Sequence, residues 1–152
     1  MIVKIILIFS LIFTFNIIVI RGWRNKQAVI VSGQLLCQGS EGSHVSILLY
    51  GKPRLGRHHL LARTYSDING YFESNGHRTV WFGIHFYLKL IHYCLETNLL
   101  CRYEAILKIP SSFIFKYLNR RQSFGLGAIE LSAIPNQKRI CVHPPSRRRR
   151  RS

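Results

Sequence analysis

The sequence predicts an all-β sandwich of about seven to eight short strands, braced by two disulfides. Three observations carry that expectation. Apolar side chains alternate with period two in short runs, as in His44-Val45-Ser46-Ile47-Leu48-Leu49-Tyr50, where Val45, Ile47 and Leu49 share one face of a pleated strand and point to a core. Clusters of Gly, Pro, Asn and Asp punctuate these runs at the intervals of a sandwich. Four cysteines, Cys37, Cys94, Cys101 and Cys141, lie behind an apolar leader in a chain of 152 residues.

The leader has a charged start, Met1-Ile-Val-Lys4, and an apolar run from Ile5 to Ile20 that ends at Arg21-Gly22. That order matches a secretory signal, with cleavage expected near Gly22. The alternative is an uncleaved anchor, for which the run is short against the roughly 20 residues of a comfortable span. Residues 1–22 are thus expected to be a signal peptide, 23–143 one domain and 144–152 a basic disordered tail. After removal of the leader about 130 residues remain, enough for one core and too few for two. Export decides the reading of the cysteines. An even count in a small secreted domain implies two disulfides in one of three connectivities. Zinc is the competing reading, because His92 precedes Cys94 by two residues and His143 follows Cys141 by two; the lack of a C-x2-C pair and the oxidising compartment favour bridges.

Val29 to Cys37 reads as a first strand closed by the turn cluster Gly39-Ser40-Glu41-Gly42, and Val45 to Tyr50 as a second. Gly51 to His59, with Gly51, Pro53 and Gly56, reads as a loop carrying Lys52, Arg54, Arg57, His58 and His59. Leu60 to Tyr65 resumes strand character. Asp67-Ile68-Asn69-Gly70 is then expected to form a tight hairpin to a returning strand at Tyr71-Phe72-Glu73, because Asn-Gly supplies positive φ angles. From Trp81 to Tyr93 the pleat places Tyr87, Lys89, Ile91 and Tyr93 on one face and Leu88, Leu90, His92 and Cys94 on the other. Arg102 to Ile109 forms a further strand, Phe113 to Leu118 a short extended stretch, and Gly125 to Ile134 the last clear strand. No internal repeat and no N-x-[ST] acceptor occurs.

A formal charge of +16 arises from 22 Lys and Arg against 6 Asp and Glu. Such a surface attracts anions through a salt-sensitive, mostly non-specific field. For an exported domain, sulfated glycans and anionic lipid headgroups are the expected neighbours, with no specific nucleic acid. Arg147 to Arg151, behind Pro144-Pro145, reads as a solvated tail, and the Arg120-Arg121 pair as a solvated strand end or an exposed dibasic cleavage point.

Several motifs, in order, make the chain resemble the nematode transthyretin-like family: Val31-Ser-Gly33-Gln-Leu35-Leu-Cys37, Val45-x-Ile47-x-Leu49-Tyr50, Thr64 to Phe72 around D-x-N-G, Tyr87-Leu-Lys-Leu-Ile-His92-x-Cys94, Lys108-Ile109-Pro110, Leu126-Gly127-x-Ile129-x-Leu131 and Cys141-x-His143. The resemblance covers about Val29 to His143 and implies a secreted, transthyretin-like (immunoglobulin-like) sandwich. One departure stands out. Where the family commonly has an acidic loop between Tyr50 and Leu60, this chain is basic, so Lys52, Arg54, Arg57, His58 and His59 are its own candidates for anion or ligand binding. For the cysteines, the preferred pairing joins Cys37 to Cys141, pinning both ends of the domain, and Cys94 to Cys101 across a short loop; the long closure stabilises by roughly 4 to 5 kcal/mol in the chain-entropy model and the short one by about 2 to 3.

Catalysis is not expected. Transthyretin-fold hydrolases of 5-hydroxyisourate use histidines, an arginine and a C-terminal Tyr-Arg-Gly-Ser, and that ending is absent here. The seven histidines His44, His58, His59, His77, His85, His92 and His143 show no triad or metal spacing, no metal or cofactor is expected, and Asp67 is explained as a turn residue. His92 reads as a packed structural histidine, and Phe86 and Tyr87 as ordinary core aromatics. The expected function is extracellular binding or signalling, with an unknown ligand that is a small hydrophobic molecule, a lipid or a cell-surface protein. The alternative is a basic adaptor held to anionic membrane or glycan.

Overall fold

In a computed structural model the described residues are 2–22, 25–116 and 123–142. The apolar N-terminal segment forms one α-helix, α1 (Ile2–Gly22). Among the described residues the domain contains ten strands: β1 (Asn25–Cys37), β2 (Ser40–Glu41), β3 (Ser46–Pro53), β4 (His59–Tyr65), β5 (Tyr71–Val80), β6 (Ile84–His92), β7 (Cys101–Lys108), β8 (Phe115–Lys116), β9 (Ser123–Glu130) and β10 (Lys138–Cys141). They make two five-stranded sheets. In the first, β1 is the hub, pairing with β2, β5, β8 and β9; the second has the order β10-β7-β6-β3-β4. Each expected strand has a counterpart, but the last ends at Glu130, where Leu131–Ala133 turns into a 3-10 helix, and of the stretch expected from Phe113 to Leu118 only Phe115–Lys116 is strand among the described residues. Three of the ten (β2, β8 and β10) have only two to four residues, too few to show a period in the sequence.

The core lies between the sheets. Val29, Val31 and Leu35 from β1 and Phe72 from β5 meet Ile47, Leu49, Phe86, Leu88, Leu90 and Ala105 from the second sheet, with Ile109, Leu131 and Ile134 sealing it. Burial of each such large side chain stabilises by about 1.5 to 3 kcal/mol.

Two turns differ in kind. Gln38 and Gly39 both take positive φ, 53° and 76°, which is the two-residue turn whose twist suits a hairpin, and they join β1 to β2. The Asp67 to Gly70 turn, by contrast, is not a hairpin. Tyr65 ends β4, which pairs with β3, whereas Tyr71 begins β5, which pairs with β1, so the turn carries the chain from one sheet to the other. Only Gly70 takes positive φ, 77°, and a side chain there would collide with the Leu35 carbonyl oxygen. The Asp67 carboxylate shapes the turn by accepting from the Asn69 and Tyr71 N–H groups at 2.9 and 2.8 Å.

The cysteines pair otherwise than expected. Cys37 is bonded to Cys94 and Cys101 to Cys141. The reason is the pleat: Cys94 follows His92 on the inner face of the second sheet and reaches across the core to the end of β1, while Cys101 and Cys141 lie directly opposite each other on β7 and β10. The first bridge therefore ties sheet to sheet, and the second fastens an edge strand. Closing 57 and 40 residues, each stabilises by about 4 kcal/mol in the chain-entropy model. With every cysteine in a bridge, no thiolate remains for the zinc alternative. Peptide mapping of the oxidised protein without reduction is expected to recover Cys37 linked to Cys94 and Cys101 linked to Cys141; a fragment joining Cys94 to Cys101 would contradict this topology.

Candidate functional site

Side chains directly opposite on paired strands share a face, so the ladders of the second sheet fix what its outer surface displays. Moving along the strands, Lys52 stands beside His85, then Tyr50 beside Tyr87 and Lys108, then Leu48 beside Lys89 and Ile106, then Ser46 beside Ile91 and Glu104. One end of the face is thus aromatic and basic. The single acid in these rows, Glu104, lies at the other end and is engaged by Lys89 at 2.6 Å and Arg102 at 3.2 Å. Burial alone would raise its pKa, but the bonds to Lys89 and Arg102 outweigh that and lower it.

At the basic end Tyr50 and Tyr87 stack with ring centroids 5.3 Å apart and planes within 6°. His58 approaches from the β3–β4 loop and shares a hydrogen bond with the Tyr87 hydroxyl at 2.8 Å, its ring edge-on to the phenol. Burial, and then the Tyr50 phenol, push the Tyr87 pKa up, which keeps its hydroxyl protonated. Lys52, His58, His85, Tyr87, Ile106 and Lys108 line a cleft of about 420 Å³. Tyr87 therefore lies on the outer surface and not in the core, which corrects its reading as a core aromatic; Phe86, one residue earlier, faces inward and is buried.

The basic 51 to 59 segment is not one loop. β3 extends to Pro53 and β4 begins at His59. Strand geometry distributes its cations: Lys52 and His58 join the cleft just described, while His59 lines a separate cavity of about 290 Å³ with Pro53, Leu55, Arg78, Trp81 and Phe82. Arg54 and Arg57 are exposed and line neither. The Arg54 N–H donates to the Gly83 carbonyl at 3.0 Å, tying this loop to the β5–β6 connection. At that pole Leu55 is 73% exposed, Phe82 52% and Trp81 48%. Neither the alternation nor the charge count pointed to His85, Lys108 or Arg78, because each comes from a distant strand; the Tyr87-Lys89 periodicity was the one available signal for the face.

His92 is buried on the inner side of β6 and stacks on Tyr103 with centroids 5.7 Å apart. Burial lowers its pKa; the nearby Gln137 side chain offsets part of this, although neither ring nitrogen meets a partner with hydrogen-bond geometry. Elsewhere two further acids, Glu96 and Glu130, are structural. Glu96 grips Arg139 through two bonds of 2.7 and 2.9 Å, and the Arg139 guanidinium, with the Asn98 N–H next, holds its pKa down to about 2. Glu130 accepts from the Gln38 and Gly39 N–H groups of the β1–β2 turn and from the Ser132 hydroxyl; the Gly39 N–H first, then Ser132, brings it to about 2. The Arg120-Arg121 pair, His143 and the Arg147 to Arg151 tail lie outside the described residues.

Two packed sheets, a bridge joining one to the other and an edge strand fastened by a second bridge define a disulfide-braced β-sandwich. A model of the transthyretin-like family matches residues 32–110. Transthyretin-like protein 5 of Caenorhabditis elegans is 31% identical over 121 residues, covering 78% of this chain and 87% of that protein. Transthyretin-like proteins 1 and 2 of the same nematode are 28% and 25% identical, each over 77% of this chain and over 81% and 84% of their own lengths. The chain belongs to the transthyretin-like family. Among solved structures, part of a 9R-lipoxygenase from Cyanothece aligns with 72% of this chain and 17% of that one, at 13% identity and a TM-score of 0.37.

The pKa directions set the response to acid. Glu96 and Glu130 titrate below their ordinary 4.5 in the folded state, so their stabilisation is present above 4.5 and is lost as pH falls towards about 2. His92 also titrates below its ordinary 6.5, so folding favours its neutral form and stability declines as pH falls below 6.5. Thermal melts followed by circular dichroism should accordingly weaken in two stages, and His92→Gln should flatten the upper stage while leaving the lower one in place.

Proposed function

We propose that this protein is a secreted, extracellular binding domain without catalytic activity, and that the basic, aromatic end of the outer face of its second sheet is the ligand surface. The observation that carries the reading is the placement of charge: Lys52 and Lys108 flank Tyr87 and His85, while Glu104, the acid of that face, is held by Lys89 and Arg102. Against catalysis stands the use of four of the six acids: Asp67, Glu96, Glu104 and Glu130 are committed to turns or ion pairs. The leader, a charged start and an apolar run from Ile5 to Ile20 within one helix, supports export. In cells that secrete the full chain, the medium should contain oxidised protein cut near Gly22, and micromolar amounts should leave the decay of 5-hydroxyisourate unaccelerated. Cell-retained protein with its leader intact, or rapid hydrolysis, would defeat the proposal.

A second reading is favoured by the loop pole, where exposed Leu55, Trp81 and Phe82 stand among Arg54, Arg57 and Arg78. That combination suits an adaptor resting on an anionic glycan or membrane. Its attraction is electrostatic and is screened by salt. Retention on heparin or on vesicles containing phosphatidylglycerol should fall steeply as salt rises and drop severalfold in Arg54→Gln/Arg57→Gln; salt-independent retention would exclude the adaptor.

A further inference from the structure

The cleft on the outer face, taken as the ligand surface above, has a more specific chemistry. We infer that it binds a single anionic amphiphile, an acyl or aryl body with a carboxylate, sulfate or phosphate head, as a free molecule and not as part of a bilayer. The inference rests on the binding reading and narrows it to a ligand class.

Three features lead there. First, the cleft has a cation on either side, Lys52 on β3 and Lys108 on β7, with Tyr87 and His85 of β6 between them. Among the described residues, neither lysine belongs to any of the ion pairs, which involve Lys89, Arg102 and Arg139. An anionic head placed there gains two charge-assisted contacts and displaces no internal carboxylate. Second, the remainder of the wall is apolar or aromatic. Ile106 is 60% exposed on the cleft wall, and Tyr87 offers a ring face that its stack with Tyr50 and its bond to His58 hold in one orientation. A rigid ring loses little freedom on binding, so the surface is prepared for an apolar body. Third, the volume of about 420 Å³ lies within the ordinary range of small-molecule sites, roughly 300 to 1,000 Å³.

Position separates a free amphiphile from a lipid within a membrane. The cations and rings of this cleft belong largely to strands and stand on a broad sheet face, whereas the residues able to enter a bilayer interface, Leu55, Trp81 and Phe82, crown the loop pole. A headgroup still packed among its neighbours reaches the pole before it reaches the cleft.

A pair of probes that share a ring system tests the head and the body separately: 1-anilinonaphthalene-8-sulfonate, which is anionic, and N-phenyl-1-naphthylamine, which lacks the sulfonate. With the secreted, oxidised protein, fluorescence titration at low salt should show the sulfonate bound at least tenfold more tightly than the amine, and palmitate should displace it. Lys52→Gln/Lys108→Gln should weaken the sulfonate at least tenfold and leave the amine unchanged, with both disulfides and the far-ultraviolet spectrum retained. Arg54→Gln/Arg57→Gln should change neither probe. Equal affinity for the two probes, or sulfonate binding untouched by the lysine variant, overturns the inference. So does loss of the sulfonate in the arginine variant alone, or displacement by phosphatidylglycerol vesicles but not by palmitate, since both outcomes assign the anion to the loop pole. Hydrolysis of 5-hydroxyisourate would defeat the non-catalytic reading and leave these titrations intact, so the two failures are distinguishable.

Discussion

Strand β6 sits at the middle of the second sheet with partners on both sides, and its pleat governs everything built around it. Ile84, Phe86, Leu88, Leu90 and His92 must be inside because the first sheet covers that face, and the same period of two places His85, Tyr87, Lys89 and Ile91 outside. A slip of one residue would exchange the two sets, burying a lysine and exposing Phe86 and three large aliphatic side chains. The core thus holds the register, and the register holds Lys52, His85, Tyr87 and Lys108 together on the other side. Cys94 continues the inward series, so the bridge to Cys37 is a product of the same constraint.

Charge follows a related economy. Carboxylates are scarce in this chain, and the packed domain places four of the six where backbone or side-chain geometry would otherwise be unsettled: Asp67 in the crossing between sheets, Glu130 over the Gln38-Gly39 turn, Glu96 against β10 through Arg139, and Glu104 between β6 and β7 through Lys89. The two ion pairs, Glu96 with Arg139 and Glu104 with Lys89, have cationic partners that reach solvent, where screening limits what each pair adds to stability. Glu96 and Glu104 are neutralised by adjacent cations, so they do little to offset the lysines and arginines elsewhere.

Much of the fold is legible in the sequence because it rests on local periodicity. The runs through Val45 to Leu49 and Tyr87 to Cys94 declare their inner and outer faces without reference to any other strand. What is not legible depends on partners far away in sequence. Asn69-Gly70 has the composition of a hairpin, yet the residues on either side pair in different sheets, and only the partners of β4 and β5 decide that. Cysteine pairing fails for the same reason: proximity along the chain favours Cys94 with Cys101, but the pleat directs one across the core and the other along the sheet. The candidate site was half visible. Lys52 and His58 stood out by charge, but a run of cations in sequence says nothing of which side of a strand each occupies, and Lys108 arrives from β7.

The position of β1 as hub has a consequence for how the chain reaches its native state. Residues Ile30 to Gln34 pair along one edge with β5 and along the other with β9, whose partners to them begin at Ser123. Strand β1 therefore waits for nearly the whole domain to be synthesised before its sheet closes, and its parallel ladder with β9 must be assembled across a long, entropically costly loop. Until then one edge of the longest strand stands open, the kind of surface on which nascent β proteins misassemble. Cys37 ends this strand, and its partner Cys94 is synthesised before β9 begins. A bridge formed at that stage would fix β1 against the second sheet while the edge is still unpaired, so the order of oxidation and synthesis has a direct bearing on the yield of folded protein.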